Sequence, residues 1–214
     1  MLPGRGHWLW LTTRTRALIN EVIAVVLGYL IGSIPSAYII GRLVGKIDLR
    51  PEGDGRISAA AIHRKLGVVP FLVVVVMDVG AGVLSVLIAK MITGSPLGTF
   101  TDSQLVVLAA GFAAVVGHNW SVFLKFRGGL GATTTFGVLV TLAWWQFLSV
   151  AAVAFTIFLI MKRRRSGLMT AILIVGLSLL LFIQKAPLIL VVYPLILILL
   201  MLLKRFQISK TGPR

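Results

Sequence analysis

Long uninterrupted runs of apolar residues, separated by short polar or basic stretches, dominate this chain. A helix needs roughly 20 mostly apolar residues to cross the hydrocarbon core of a bilayer. Strands of a membrane barrel alternate apolar and polar residues, whereas runs such as 71–77 and 188–203 are continuously apolar. The pattern therefore predicts an all-α fold, a polytopic bundle of membrane helices. The apolar segments cover approximately 21–44, 68–90, 103–124, 132–161, 167–183 and 187–203.

The segment 132–161 is too long for one crossing and short for two. Its 30 residues would make about 45 Å of helix at about 1.5 Å per residue. Basic residues flank it at 125–127 and 162–165, and both flanks should be cytoplasmic by the positive-inside rule. An even number of crossings must therefore join them. We predict two short helices that turn near Trp144 and Trp145, which brings the total to about seven membrane helices.

The distribution of basic residues predicts an orientation. With the N-terminus outside, the cytoplasmic regions 42–65, 125–127, 162–165 and 204–214 hold 16 of the 21 Lys and Arg residues, and the outside regions hold five. The arginines of the first 20 residues are the discordant element. We therefore predict three parts: an N-terminal extension at 1–20, a membrane domain at 21–205 and a C-terminal tail at 206–214.

Composition narrows the function classes. Hydrophobic residues make up 58% of the chain and charged residues 13%, cysteine is absent, and the formal net charge is +15. A strongly basic balance is compatible with nucleic acid, but here the charges lie between apolar runs. That placement favours topogenic charge and attraction to anionic lipid head groups. We expect membrane lipids as partners, no nucleic acid, and, because no metal or nucleotide motif occurs, no cofactor.

Two predicted cytoplasmic loops carry candidate chemistry. The first combines Arg50, Gly53, Gly55 and Arg64; it is either a plain connector or a site where glycine N–H groups and basic side chains hold a phosphate. The second places a histidine at the end of one helix and a basic glycine turn before the next, whose N-terminal N–H groups favour anions. Its candidates are His118, Lys125, Arg127, Gly128, Gly129, Gly131 and Thr134.

Simpler interpretations of the second loop stay open. His118 is equally compatible with an interfacial or packed histidine, and Lys125 and Arg127 with anchoring to lipid head groups. Asp78 lies inside the second apolar run, where an ionisable group is costly and usually has a partner in the protein interior. Its two interpretations are a structural pair with a basic residue or hydroxyl, and a role at the site.

The same residues resemble a known family. Three stretches carry the resemblance: Gly32–Ser36, Asp48 to Arg50, and above all Gly117-His118 through Phe126 with the glycine turn after it. They are similar to the motifs of the bacterial acyl-phosphate:glycerol-3-phosphate acyltransferases. Ser166 stands where the third family motif begins. The resemblance implies a seven-helix enzyme of the bacterial plasma membrane with its active face in the cytoplasm. It would move a fatty acyl group from acyl phosphate to glycerol-3-phosphate, giving lysophosphatidic acid for phospholipid synthesis.

Several positions depart from the family pattern. The turn has Leu130 where the family has a lysine, and the second predicted helix has Ala81 where the family has another. In the first loop, Asp54 and Arg56 stand at a serine and an asparagine position, and Ala61 at an asparagine position. Two interpretations follow: an acyltransferase with altered substrate contacts, with His118 as catalytic base and Asp78 in support, or an impaired or inactive member that binds lipid or another membrane protein.

Overall fold

The computed structural model describes residues 5–48, 57–95, 104–161 and 166–211. All regular structure in these ranges is helical, which confirms the all-α prediction. A short 3-10 helix at Val122–Leu124 follows α5. The α-helices are α1 Arg5–Gly32, α2 Ser36–Gly45, α3 Ala59–Leu66, α4 Val68–Thr93, α5 Gln104–Asn119, α6 Ala132–Leu142, α7 Trp144–Met161, α8 Ser166–Ile183 and α9 Leu188–Thr211.

The apolar helices match the segments predicted from the sequence. Within the described ranges, four stretches are long and apolar enough to cross a membrane: Arg14–Gly45, Val68–Thr93, Gln104–Leu124 and Leu188–Ser209. Three shorter apolar helices are Ala132–Leu142, Trp144–Ile157 and Thr170–Ile183. The turn predicted near Trp144 and Trp145 lies at Ala143, whose non-helical backbone (φ −145°, ψ 58°) separates α6 from α7.

The first apolar segment differs from its prediction. The sequence predicts one helix over 21–44, but the structure has α1 ending at Gly32 and α2 beginning at Ser36. Pro35 explains the break, because proline lacks the backbone N–H and disfavours helical geometry in the residue before it. At its other end, α1 begins at Arg5 and continues through residue 20, so the predicted extension and the membrane domain share one helix.

Close backbone approach assembles the centre of the bundle. Gly28 and Gly32 of α1 lie against the carbonyl groups of Ala110 and Ala114 on α5, where any Cβ would overlap those carbonyl oxygens. The contact of α4 with α6 is made in the same way, with Gly137 against the backbone of α4. Small residues at such crossings let membrane helices pack closely. As a result, the polar side chains on these four helices (α1, α4, α5 and α6) lie close to one another.

The described segments next to the two predicted candidate loops meet at one end of the bundle. Ile57, just before α3, and Leu124, just after α5, are buried in a single apolar cluster with Ala37 of α2. At the other end, one cavity is lined by Lys90, Gln104, Ala143 and Ala186. The end of α4, the start of α5 and the α6–α7 and α8–α9 turns therefore lie together there. We call the end that holds Arg64, His118 and the glycine turn the loop-rich end; the second end holds the α6–α7 and α8–α9 turns.

Single-cysteine labelling tests this arrangement in a membrane, because the chain has no cysteine of its own. We expect Lys46→Cys and Lys125→Cys to react with a membrane-impermeant maleimide from the same side, since both lie at the loop-rich end. Lys185→Cys, in the α8–α9 turn, should react from the opposite side. Labelling of Lys46→Cys and Lys125→Cys from different sides would refute the topology.

Candidate active site

A buried carboxylate on α4 organises the site. Asp78 is 3% exposed and lies ten residues after the start of α4 at Val68, about 15 Å along the helix axis. The hydroxyl of Ser36 donates a hydrogen bond to Oδ1, and the hydroxyl of Thr133 donates to Oδ2 at 2.8 Å. Each oxygen of Asp78 thus has a hydroxyl partner, one from the start of α2 and one from the first turn of α6.

His118 lies between this carboxylate and the glycine turn. Its Nδ1 atom is 3.8 Å from Oδ1 of Asp78, and its side chain is 13% exposed. Its carbonyl oxygen accepts a hydrogen bond from the N–H of Gly129 at 3.2 Å. On the other edge of the ring, Nε2 faces the Gly129 Cα, where an added Cβ would come within 2.6 Å. The carboxylate of Asp78 thus lies on the Nδ1 side of the ring, and the glycine turn lies on the Nε2 side.

The glycine turn is built by close approach and by left-handed backbone. A Cβ on Gly128 would overlap the carbonyl oxygen of His118, so only glycine fits beneath α5. Gly131 precedes α6 with φ +73°, a conformation that glycine adopts without steric cost. Before them, Lys125 and Phe126 also have positive φ values of 54° and 61°. This sharp reversal returns the chain from the end of α5 into the start of α6.

The described basic candidate residues and Thr134 do not contact Asp78 or His118 in the way that Ser36 and Thr133 do. Lys125 and Arg127 are exposed on the turn, and Arg64 is exposed on α3. Thr134 was the sequence candidate at the start of α6; it is buried, while the hydroxyl that reaches Asp78 belongs to Thr133. Of the remaining candidates, Arg50, Gly53 and Gly55 lie outside the described residues, and Ser166 begins α8 with its side chain outside them.

Several buried polar atoms face this region without a hydrogen-bond partner among the described residues. Asn119 is 0% exposed, and neither its amide nitrogen nor its amide oxygen has a partner. The buried hydroxyl groups of Ser33 and Thr134 also have no hydrogen-bond partner among the described residues. Asn119 lies directly beside Gly131, because a Cβ on that glycine would overlap Oδ1. Buried polar groups normally pair, so these atoms provide donors and acceptors next to the N-terminus of α6.

A small pocket connects these elements. The cavity has a volume of about 10 Å³, which is room for about one water molecule. It is lined by the helix break at Ser33–Ala37, Ile57, His118, Ser121 and the turn glycines. Ser121 donates a hydrogen bond to the carbonyl oxygen of Ser33 at 2.5 Å, joining two of its walls. No group of three or more metal-ligating side chains occurs in the described ranges.

Sequence analysis missed a buried cation near this site. Lys204 on α9 is 4% exposed, and its ammonium lies 4.8 Å from the ring centroid of Trp120. The indole N–H of Trp120 donates to Gln207 at 2.9 Å, and the Trp120 carbonyl accepts from the Tyr29 hydroxyl at 2.9 Å. Lys204 begins the basic C-terminal stretch, and nothing in the local sequence indicates that it is buried. Only its packing on Trp120, two residues after His118, distinguishes it from the other basic residues of that stretch.

The fold and site define a polytopic membrane protein with a half-buried histidine beside a buried carboxylate at a glycine turn. A family model described as glycerol-3-phosphate acyltransferase matches residues 22–210. The chain therefore belongs to the glycerol-3-phosphate acyltransferase family.

Bacterial relatives agree with this assignment. Over 131 residues the chain is 44% identical to glycerol-3-phosphate acyltransferase 2 of Moorella thermoacetica, covering 59% of this chain and 63% of that one. It is 39% identical to the enzyme of Shouchella clausii, covering 64% of each. With the enzyme of Thermoanaerobacter pseudethanolicus it shares 38% identity, covering 70% of this chain and 71% of that one. The alignments thus span less than two thirds of the first two relatives.

Solved structures show the same fold. A crystal structure of PlsY (YgiH), an integral membrane glycerol 3-phosphate acyltransferase, in its glycerol 3-phosphate form superposes with a TM-score of 0.74 at 26% identity, covering 91% of this chain and 94% of that one. The lysophosphatidic acid form gives a TM-score of 0.72 at 25% identity with the same coverage.

Two adjacent glycines of the turn should respond differently to alanine. We expect Gly128→Ala to lower the free energy of unfolding by about 1–3 kcal/mol, the usual cost of overpacking, because its Cβ meets the backbone oxygen of His118. Gly129→Ala should cost less, since the nearest atom is Nε2 of a side chain that can rotate. Thermal unfolding in detergent measures both. A larger loss for Gly129→Ala would contradict the described geometry of the turn.

Proposed function

We propose that this protein transfers a fatty acyl group from acyl phosphate to glycerol-3-phosphate, giving lysophosphatidic acid for phospholipid synthesis. It acts without a cofactor in the plasma membrane of a bacterium, with its loop-rich end in the cytoplasm. The names of its relatives and the two forms of the solved PlsY structure support the substrate and product. The observation that carries the proposal is the position of His118, with Nδ1 toward Asp78 and Nε2 toward the glycine turn.

The reaction needs positioning and one proton transfer. A hydroxyl oxygen of glycerol-3-phosphate bonds to the carbonyl carbon of the acyl phosphate, and the bond from that carbon to the phosphate oxygen breaks. Inorganic phosphate leaves with the electron pair. The hydroxyl proton passes either to Nε2 of His118, as general base, or directly to the leaving phosphate. An acyl phosphate is already activated, so no covalent enzyme intermediate is required.

The glycine turn supplies what the transition state needs. Negative charge develops on the carbonyl oxygen, and preorganised N–H donors stabilise such charge most effectively where water is excluded. The N–H of Gly129 already donates to the carbonyl oxygen of His118, so the donors of this kind are those at the N-terminus of α6, which follows the turn. Lys125, Arg127 and Arg64 supply exposed positive charge at the same end of the bundle. Arg50, Gly53, Gly55 and Ser166 remain predicted contributors.

Asp78 is a positioning residue in this scheme. Its oxygens hold the hydroxyls of Ser36 and Thr133, so it ties the α1–α2 break to the start of α6 while facing the ring of His118. A charge buried this deeply in a membrane helix is costly. The hydroxyl bonds and the proximity of the imidazole offset that cost and orient the base.

The altered positions support a second candidate, an impaired family member that binds lipid or another membrane protein. Leu130 is half-buried within the turn and places an apolar side chain where the family pattern has a cation. Ala81 removes another cation, one helical turn from Asp78. Two anionic substrates must share a small site, so fewer cations weaken both binding and transition-state stabilisation. Lys204 restores one positive charge nearby, and we therefore favour a slow enzyme over an inactive one.

Substitution of the histidine–carboxylate pair tests the mechanism. We expect His118→Ala to lower kcat about 100-fold or more, the usual contribution of a general base. Asp78→Asn should lower kcat about 10-fold or more with a smaller change in KM, because it removes a charge that acts through His118. Acyl transfer by purified protein in detergent, with acyl phosphate and glycerol-3-phosphate, measures both.

A second histidine at the same end of the bundle is the matched control. His63 is exposed on α3, with its ring centroid 5.2 Å from that of Phe71, so His63→Ala should retain the parental rate. Equal losses from His118→Ala and His63→Ala would contradict a catalytic role for His118.

Restoring the family residues tests which of the two candidates holds. We expect Leu130→Lys combined with Asp54→Ser and Arg56→Asn to raise the rate above that of the parent, because Leu130→Lys adds a cation in the turn, while the two loop changes remove one anion and one cation and cancel in charge. If the parent is inert and the folded triple variant is also inert, the enzyme proposal fails, and the binding interpretation replaces it.

A further inference from the structure

Among the described residues, the polar contacts of Asp78 are two hydroxyl groups and one imidazole ring. Ser36, the first residue of α2, donates to Oδ1, and Thr133, in the first turn of α6, donates to Oδ2 at 2.8 Å. Nδ1 of His118 lies 3.8 Å from Oδ1. Hydrogen bonds to a charged group are roughly twice as strong as those between neutral groups. The two hydroxyls therefore fix the carboxylate beside the imidazole.

The packing of α6 against α4 does not depend on the hydroxyl of Thr133. A Cβ on Gly82 of α4 would overlap the carbonyl oxygen of Thr134, and a Cβ on Gly137 of α6 would overlap that of Val79. This direct contact of the two backbones sets the register of the helices one residue away from the hydrogen bond. The hydroxyl therefore has a separate role, which is to bind the carboxylate.

The position of α2 is likewise set by packing that does not involve the hydroxyl of Ser36. Ala37, the next residue, is buried in one apolar cluster with Val74 of α4 and Leu124, which follows α5. Val74 lies about one helical turn before Asp78 on α4. Buried apolar contacts thus hold the start of α2 beside α4, and the Ser36 side chain makes no capping hydrogen bond to α2 that would explain its hydroxyl.

Position 81 on α4 is where a cationic side chain could pair with Asp78. Ala81 is half-buried and lies three residues after Asp78, a spacing at which helical side chains are neighbours. The methyl group of alanine offers the carboxylate no partner. A buried carboxylate needs hydrogen bonds or a counter-charge, and in this chain the hydroxyls of Ser36 and Thr133 supply the hydrogen bonds.

We propose that Ser36 and Thr133 are positioning residues of the active site. Their hydroxyls give Asp78 the stabilisation that a cationic partner would otherwise supply, and they keep its carboxylate beside His118. The inference rests on the proposed acyl transfer, with His118 as the group that accepts the hydroxyl proton. A carboxylate fixed next to Nδ1 stabilises the positive charge that the imidazole then gains. Without either hydroxyl the carboxylate is held less firmly, and the base is less effective.

Thr133→Val tests this role, because it keeps the branched shape of the side chain and removes the hydroxyl. We expect kcat to fall about tenfold, the size that corresponds to one hydrogen bond to a charged group, with a smaller change in KM. Thr133→Ser, which keeps the hydroxyl, should restore most of the rate. Thr135→Val is the matched control and should keep the parental rate: Thr135 is buried on the same helix, but its hydroxyl faces Sδ of Met201 at 4.0 Å.

Ser36→Ala provides an independent variant in case Thr133→Val does not fold, and it should also lower kcat. A cation at position 81 should then replace the lost hydroxyl. We expect Ala81→Lys to restore part of kcat in either background, whereas Ala81→Met, of similar length and without charge, should not. The inference is overturned if Thr133→Val and Ser36→Ala both keep the parental rate, or if Ala81→Lys restores no more than Ala81→Met.

Unfolding midpoints of the purified full chain in detergent test the same partnership without the transfer assay. Thr133→Val should lower the midpoint, and it should lower it by less once Asp78→Ala has removed the carboxylate, because residues in contact have non-additive effects. Additive shifts would overturn the inference. A parent that transfers no acyl group counts against the proposed function, and the midpoints then decide on the hydroxyl partnership by themselves. An active parent with an unchanged kcat in both hydroxyl variants counts only against the present inference.

Discussion

The burial of one carboxylate in the middle of a membrane helix is the constraint on which the site depends. A charge at the depth of Asp78 is strongly unfavourable unless protein groups replace the water that it loses. Ser36 and Thr133 provide hydroxyls, but they come from helices far apart in sequence. Their positions require the break before α2 and the sharp entry into α6. The same arrangement leaves His118 beside the carboxylate, with its second nitrogen toward the glycine turn.

Most of the fold could be predicted because lipid allows few alternatives. A backbone in hydrocarbon must satisfy its own hydrogen bonds, so apolar runs of sufficient length become helices, and basic flanks decide how many crossings join them. The turn beside Trp144 lies where this pattern predicts it. At residues 33–35 the prediction of a continuous helix was wrong, because the segment is apolar on both sides of the break. Pro35 was the available signal, and its effect on the preceding residue outweighs hydropathy there.

The sequence predicts which segments form the candidate site, but not which residue of a helix faces it. His118 and the turn glycines carry strong sequence signals, whereas three consecutive threonines do not reveal which one faces inward. Successive residues on a helix point about 100° apart, so the choice of Thr133 depends on the packing of α6 against α4. Lys204 was assigned to topogenic charge, because its burial arises from contact with Trp120, which lies far away in sequence. Long-range packing of this kind has no local pattern.

The short length of α6 explains why a polar reaction site and a membrane bundle can coexist in so small a chain. Its 11 residues span about 16 Å, roughly half of the hydrocarbon core. With α6 ending beside the interfacial Trp144, its N-terminus must lie well below the opposite surface, at the depth that Asp78 occupies on α4. Gly131, Thr134 and Thr135 are buried there and Ala132 and Thr133 are half-buried, so protein shields the first turn of α6 from much of the surrounding water. In such a medium a helix N-terminus and a few cations act on an anion with little screening, which supports the proposed binding of phosphate groups at a turn with fewer lysines than the family pattern.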